Sequence, residues 1–437
     1  MVSRFRSPLL RLACLPLLAL AACGGSSAAP AAAGAASTPI RIGVINPLTG
    51  PLANLGKDFS DGFNLYLASI HNAIAGRPVE PMFADSEGKA DTGLTKAKQL
   101  VESDHVQLLT GITATPVCYA VDTYVKQAHV PLVLSANCAA EKLMTDSKFA
   151  SPYVVRFAHN ATLLADPAAD WMYQQSYRKV ILMAADFGGG LESADAFASA
   201  FIQRGGSIVQ ELYPAQGTSD YGPFLAKLDP SADALYGFMP GIDSLRFLQQ
   251  YGNYAGQSKL QLVDATGSMT VGPNLGDLKG TAVGVVGINV YSPAIDTPMN
   301  KQFLQAFEAK YPGRYVSGDV ARGYSAAQIL AAALEKVNGR AEDNQPLMQA
   351  LYSLNVDTVK GPTHLDKNHD DVENIYVFRV VKQGERYGHE LLQTYQNVSR
   401  DWDRGESEVD RFPWGEMKGK WVGMTSAQLQ RIEAPTS

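Results

Sequence analysis

The sequence predicts an α/β protein built as two lobes, each a parallel sheet flanked by helices. Three observations carry this. From Ile40 onward, short apolar runs alternate with amphipathic helical segments, the pattern of strands buried on both faces. The alternation comes in two sets of similar size, with the break near Ala161. About 400 of the 437 residues follow the N-terminal leader and spacer described below, enough for two or three domains.

In the first set, IRIGVINPL is a buried strand. Residues 57–74 keep helical spacing through Phe59, Phe63, Leu65, Tyr66 and Ile70. VEPMFAD is a strand and residues 92–102 a helix. VQLLTGI, VPLVLSA and YVVRFA continue the series, each with a helix after it. The second set has KVILMAAD, SIVQELYP, ADALYGFM and LQLVDA as strands, separated by helices such as 191–203, and AVGVVGINVYSP as a longer apolar strand. Three helices follow at 299–310, 319–337 and 346–354, then the strand-like YVFRVVKQG. From Asn397 the chain is charged and rich in Trp, Gly and Pro, and reads as an irregular tail packed on a lobe. Ligands bind such sheets at the carboxyl ends of the strands, so the expected site is a cleft between the lobes.

Hydrophobic residues make up 46% and charged residues 18%, ordinary for a globular chain. The net charge is -6 and no basic run interrupts it, which excludes nucleic acid as an expected partner.

Arg4, Arg6 and Arg11 precede an apolar run over 12–22. That run falls short of the roughly 20 residues a membrane-spanning helix needs. A basic start, a short apolar core and small residues at the end predict a secretory signal peptide. Leu20-Ala21-Ala22-Cys23 also resembles the bacterial lipobox, in which the leader is cut before a cysteine that is then acylated. Residues 1–22 are therefore expected to be a lipoprotein signal peptide and Cys23 the lipidated residue. Residues 23–39, without large side chains, are expected to form a flexible tether. This places the protein in the periplasm or at the cell surface, held to the membrane by lipid. Cys14 leaves with the leader. Cys118 and Cys138 remain in an oxidising compartment, at two positions on the same carboxyl edge of the first sheet, and are expected to form a disulfide.

Enzyme signatures come close and fail. Gly50 to Lys57 resembles a phosphate-binding loop, but five residues separate its glycines and Asp58 stands where a Mg²⁺-binding hydroxyl belongs. Gly188-Gly189-Gly190 follows a strand and opens a helix, yet the third dinucleotide-site position is Ser193. Asp366-Lys-Asn368-His-Asp370 starts like a calcium loop, but Asp371 fills the glycine position and Val377 the bidentate glutamate position. No nucleophile is paired with a base in a recognisable motif. No catalytic residue, metal or cofactor is expected.

Taken together, IRIGVINPLTGPLANLGKDFSDGFNLYL, VILMAADFGGG, ARGYSAAQILAAAL and VDTVKGPTHLDKNHDDVENIYVFRVVKQG resemble the type I periplasmic solute-binding proteins of ABC importers, in the leucine/isoleucine/valine-binding branch. The resemblance runs from Ile40 to about Leu392. It implies two Rossmann-like lobes joined by three crossovers, residues 40–159 plus 291–359 and residues 160–290 plus 361–395, with 396–437 as a tail. It also implies a small-molecule solute held between the lobes, a hinge closure over it, and delivery to the permease subunits of an ABC importer. A ligand-sensing receptor subunit of the same fold is the alternative.

The resemblance places the site after the third and fourth strands, where hydroxyls and amides hold a ligand carboxylate. Thr113, Thr115, Ser135 and Asn137 are the donors there, and Ala114 and Ala139 stand where the family usually has hydroxyls. Leu55 takes the place of an aromatic in the first loop. Phe187 is the aromatic of the second lobe, and Met239 replaces a tyrosine. Thr266 stands where the acidic partner of the ligand ammonium belongs; Asp264 and Glu192 lie close enough in sequence to substitute. A buried ammonium without a carboxylate is costly, so an aromatic carboxylate, an amide or a hydrophobic solute is expected to fit better than leucine.

Overall fold

Strand β1 (Ile40–Asn46) shows why the first lobe forms. Ile40, Ile42 and Val44 pack on one face with Phe59 and Phe63, while Ile45 packs on the other with Leu109, Val117 and Val121. Alternate side chains of one strand thus feed two helical layers. The computed structural model describes residues 38–433 apart from 145, 147, 255–259, 271, 273, 279 and 406–409; the expected leader, Cys23 and most of the tether lie outside them.

After β1 come α1 (Ala53–Ser69), β2 (Ala73–Ile74), β3 (Arg77–Asp85), α2 (Ala90–Lys98), β4 (Leu108–Gly111), α3 (Thr115–Ala128), β5 (Leu132–Leu134) and β6 (Val154–Arg156). The sheet order is β2-β3-β1-β4-β5-β6, parallel except for the β2–β3 hairpin. Among the described residues between β5 and β6 there is no α-helix, contrary to the sequence expectation, and a 3₁₀ turn at Glu141–Leu143 lies in that connection.

The second lobe runs through α4 (Ala161–Gln174), β7 (Lys179–Ala184), α5 (Gly188–Gln203), β8 (Ser207–Leu212), α6 (Gly222–Leu225), β9 (Ala234–Phe238), α7 (Ile242–Tyr254), β10 (Gln261–Asp264), α8 (Asn274–Asp277) and β11 (Val286–Asn289). Then come α9 (Pro298–Lys310), α10 (Gly318–Lys336) and α11 (Asn344–Tyr352). The chain returns to the second sheet as β12 (Asn355–Thr358), β13 (Gly361–Leu365), β14 (Asp371–Gln383) and β15 (Arg386–Val398), and α12 (Ser426–Glu433) closes the described chain.

The second sheet is mixed, which corrects the expectation of a parallel one. Its order is β12-β13-β14-β11-β10-β9-β7-β8, with β15 on β14. Pairings from β11 to β8 are parallel; β11–β14 and the hairpins β12–β13, β13–β14 and β14–β15 are antiparallel. A tight turn through Gly384, whose φ is 61°, returns the chain into β15. Two sequence expectations change with this. Residues 355–358, placed with the first lobe, hydrogen-bond into the second sheet. Only Val286–Asn289 of the long apolar stretch forms strand.

Helix α10 packs on α1 so closely that neither backbone tolerates a side chain at the crossing. A Cβ at Gly62 would lie 1.9 Å from the Val320 carbonyl oxygen, and one at Gly323 1.9 Å from that of Phe59. Ser317 caps α10, its hydroxyl accepting from the Val320 N–H, and so fixes Asp319 in the first turn.

The chain crosses between the two sheets after β6, after β11 and before β12. At the first of these, Arg156 is wholly buried and bidentate with Asp370 of the β13–β14 turn, at 2.7 and 2.5 Å. Its Nη1 also donates to the carbonyls of Cys138 and Ala140, and Asn160 donates to Asp370 at 3.2 Å. The residues after β15 pack on the second lobe. Arg404 is buried against Asp166, Trp421 Nε1 donates to Asp195 at 2.9 Å, and Phe412, Trp414 and Trp421 join the core of α4 and α5. Among the described residues no helix is long and apolar enough to cross a membrane.

Candidate functional site

The carboxyl ends of the two sheets face each other across a cavity lined from both lobes. The lobes meet over its rim, where the Ile242 N–H donates to the Pro51 carbonyl at 3.1 Å. Gly241 makes this approach feasible. Its φ is 67°, and a Cβ there would sit 2.4 Å from the Pro51 oxygen.

The walls are apolar: Leu52, Leu55 and Ala139 from the first lobe, Phe187, Phe238 and Pro240 from the second. Polar groups gather at two places. Thr113 and Thr115 stand at the start of α3, which no side chain caps, so the positive end of that helix faces the cavity. Thr113 Oγ1 donates to Asn46 Oδ1 at 2.8 Å. The second polar group lies toward the crossovers and comprises Asn137, His159, Thr266, Ser268 and Asp319.

Of the residues the sequence reading names for the site, Leu55, Thr113, Thr115, Asn137, Ala139, Phe187 and Thr266 line this cavity. Ala114, Ser135 and Met239 are not on the lining. Ala114 is the buried N-cap residue of α3. The Ser135 hydroxyl is taken up inside the sheet, 2.8 Å from Thr110 Oγ1, and accepts from the Gly111 N–H at 3.2 Å. Met239 is fully buried in the core beside Leu235 and Met269.

The two substitute acids are elsewhere engaged. Asp264 is buried and accepts from the Thr266 N–H and hydroxyl, the Met269 N–H and the Thr270 hydroxyl, at 2.8–2.9 Å. Four donors saturate it, and its role is to hold the turn that presents Thr266. Glu192 faces the opposite lobe, accepting from the Glu141 N–H at 2.7 Å and the Tyr119 hydroxyl at 3.2 Å. Burial pushes its pKa up to about 8.

Sequence reasoning missed Asp319 and His159. Asp319 is the one carboxylate among the described residues that line the cavity. Asn137 Nδ2 donates to its Oδ1 at 2.5 Å, and Arg322 Nη1 lies 3.4 Å from the same oxygen. Arg322 Nη2 donates to Asn289 Oδ1 at 2.7 Å and lies 3.4 Å from His159 Nδ1. Burial, with Arg322, Lys360 and Arg156 nearby, holds the His159 pKa well below its ordinary range, so the ring is neutral. Burial raises the Asp319 pKa, and the pairing with Arg322 opposes that. A capping serine two residues before Asp319, opening a long helix, was the available signal for it.

The rejected motifs have structural roles. Asp58 is ion-paired with Arg314. Gly190 is required because a Cβ would lie 2.0 Å from the Ala185 carbonyl oxygen. Asp366 closes a turn, accepting from the N–H groups of Asn368 and Asp370. Among the described residues no group of three or more His, Cys, Asp or Glu is placed to hold a metal.

A family model described as Periplasmic binding protein matches residues 39–385. Leu/Ile/Val-binding protein homolog 6 of Brucella melitensis is 29% identical over 374 residues, covering 84% of this chain and 94% of its own length. An ABC transporter substrate-binding protein from Sphaerobacter thermophilus has a similar structure, with a TM-score of 0.77 and 31% identity over 83% of this chain and 99% of that one. A solute-binding protein of an ABC transporter from Rhodopseudomonas palustris BisB5, solved in complex with 3,4-dihydroxybenzoic acid, also reaches a TM-score of 0.77, at 26% identity over 83% and 98%.

Proposed function

The chain belongs to the periplasmic binding protein family, non-enzymatic solute-binding proteins of ABC transporters, and from that premise we propose that its solute is a small carboxylate with an apolar, aromatic body. The observation that carries this is the placing of acids around the cleft. Thr266 stands at the expected position of the ammonium partner, Asp264 is saturated by its own turn, and Asp319 already faces Arg322. An amino acid would bring an ammonium group into a buried site with no uncommitted counter-charge, which is costly. An aromatic ring instead meets Phe187, Phe238, Leu52 and Leu55. Its carboxylate lies at the start of α3, within reach of the Thr115 hydroxyl. The dihydroxybenzoic acid in the R. palustris relative supports the same chemistry.

The solute passes to the permease subunits of an ABC importer when the loaded, closed lobes dock on them. Cys23 holds the protein to the membrane by its acyl chains, with residues 24–39 as the tether. The test is a thermal-shift screen followed by calorimetry, comparing leucine, isoleucine and valine with benzoate, hydroxybenzoates and aromatic amides. Benzoates are expected to bind more tightly than the amino acids. Sub-micromolar leucine binding would overturn the proposal.

A further inference from the structure

Two nitrogens of one guanidinium hold Asp319 and His159 side by side at the crossover end of the cleft. Arg322 Nη1 lies 3.4 Å from Asp319 Oδ1, and Nη2 lies 3.4 Å from His159 Nδ1. All three side chains are buried, and Asp319 and His159 both line the cavity. Arginine only donates hydrogen bonds, so His159 Nδ1 accepts and the proton of the neutral ring sits on Nε2. Asn137 and Arg322 both bond Asp319 Oδ1, and neither engages Oδ2. This end of the site thus presents one acceptor and one donor, with the local charge already balanced.

We infer that this pair is a hydroxyl-reading subsite, in which a neutral hydroxyl of the solute donates to Asp319 and accepts from His159. The inference rests on the carboxylate reading above and adds the second polar group of the solute. Other groups fit worse for stated reasons. An ammonium has no lone pair for the His159 N–H and meets the Arg322 charge, whose Nε has no hydrogen-bond partner. A second carboxylate is repelled by Asp319. An ether has no proton to give Asp319, which then stays buried and under-satisfied. A hydroxyl meets both requirements through one atom. The solute is therefore a carboxylate at the α3 end and a hydroxyl at the crossover end, with an apolar ring between.

The test is calorimetry on the full chain, stripped of bound solute by unfolding and refolding, with benzoate, 3- and 4-hydroxybenzoate and the matching methoxybenzoates. At least one hydroxybenzoate is expected to bind about tenfold or more tightly than both benzoate and its methoxy counterpart. In Asp319→Asn, and separately in His159→Phe, the ratio of benzoate to hydroxybenzoate Kd should fall toward one. Should either variant fail to fold, the hydroxy-to-methoxy comparison on the unaltered protein decides alone. Benzoates that bind without a hydroxyl preference, or a preference that survives Asp319→Asn, would overturn the subsite while leaving the aromatic-carboxylate proposal standing. If no benzoate binds at all, that proposal fails and the subsite with it.

Discussion

Glu192 of the second lobe and Glu141 of the first meet directly: the Glu141 N–H donates to Glu192 Oε2 at 2.7 Å, and both side chains are buried. The Tyr119 hydroxyl completes the contact, and Arg156 lies close enough to affect both acids. Burial lifts the Glu192 pKa to about 8, against about 4.3 for an exposed glutamate. Between those values the folded protein keeps a proton that the unfolded chain releases. The resulting stabilisation is full below the unfolded pKa and is lost as pH rises through about 8. Asp195, raised to about 7 by burial, acts in the same direction. The melting temperature is expected to fall between pH 5 and 9, and Glu192→Gln should flatten that fall. An equal slope in the variant, measured by scanning calorimetry, would remove Glu192 as a cause.

Phe187→Ala should weaken benzoate binding more than Thr266→Ala does. The Phe187 ring lines the cavity together with Phe238, centroids 6.4 Å apart. Its removal is worth about 1.5–3 kcal/mol, or one to two decades in Kd. The Thr266 hydroxyl already donates to Asp264 and accepts from the Ser268 N–H, so its loss acts on the turn first. Calorimetry ranks the two variants.

Cys118 and Cys138 are joined as a disulfide in the structure, with Cα atoms 6.4 Å apart and 20 residues of separation. Peptide mapping of exported, unreduced protein should recover the linked pair. Replacing both by serine should cost about 3 kcal/mol in denaturant unfolding, the scale for a loop of this size. Two free thiols in the exported material would contradict the pairing.

Arg404→Ala should destabilise the second lobe by about 3–5 kcal/mol, because it leaves Asp166 charged and buried without its partner. The double change Arg404→Met with Asp166→Leu should recover much of that. Urea unfolding with tryptophan fluorescence reads both, since Trp414 packs beside Arg404 with its ring centroid 5.6 Å from the guanidinium carbon.

Cys23→Ser should release the protein from the membrane fraction and abolish incorporation of labelled palmitate. Label retained by the variant would show that the acyl group is attached elsewhere.

The alternation of strands and helices was legible because each strand is buried on both faces and each helix carries one apolar stripe, as Phe59, Phe63 and Leu67 do on α1. Strand β15 was not legible. One side of that antiparallel edge faces water, and its sequence, RYGHELLQTYQNV, mixes polar and apolar residues without a clean period. Among the residues that line the cavity, Leu55, Thr113, Thr115, Asn137, Ala139 and Phe187 follow β1, β4, β5 or β7 closely and could be named by their position after a strand. Asp319 and His159 could not, since one opens a helix late in the chain and the other follows a crossover. Helix α10 sets Asp319 one turn from Arg322, and the fold brings His159 to the same guanidinium. Ser135 and Met239 are a subtler failure: their backbone positions are near the site, but their side chains serve the sheet and the core.

The Arg156–Asp370 pair has a mechanical consequence. A guanidinium that ties the first crossover to the β13–β14 turn, with its charge matched in a dry interior, cannot be drawn out without stranding both ions. Separation of the lobes to admit a solute is therefore expected to leave it in place and turn about it. On such a motion, contacts at the far rim, such as Ile242 to Pro51, should travel furthest, and Asp319 and His159 beside the crossovers least. The polar end of the cleft would then be assembled before the solute arrives, with the apolar walls closing on it afterward.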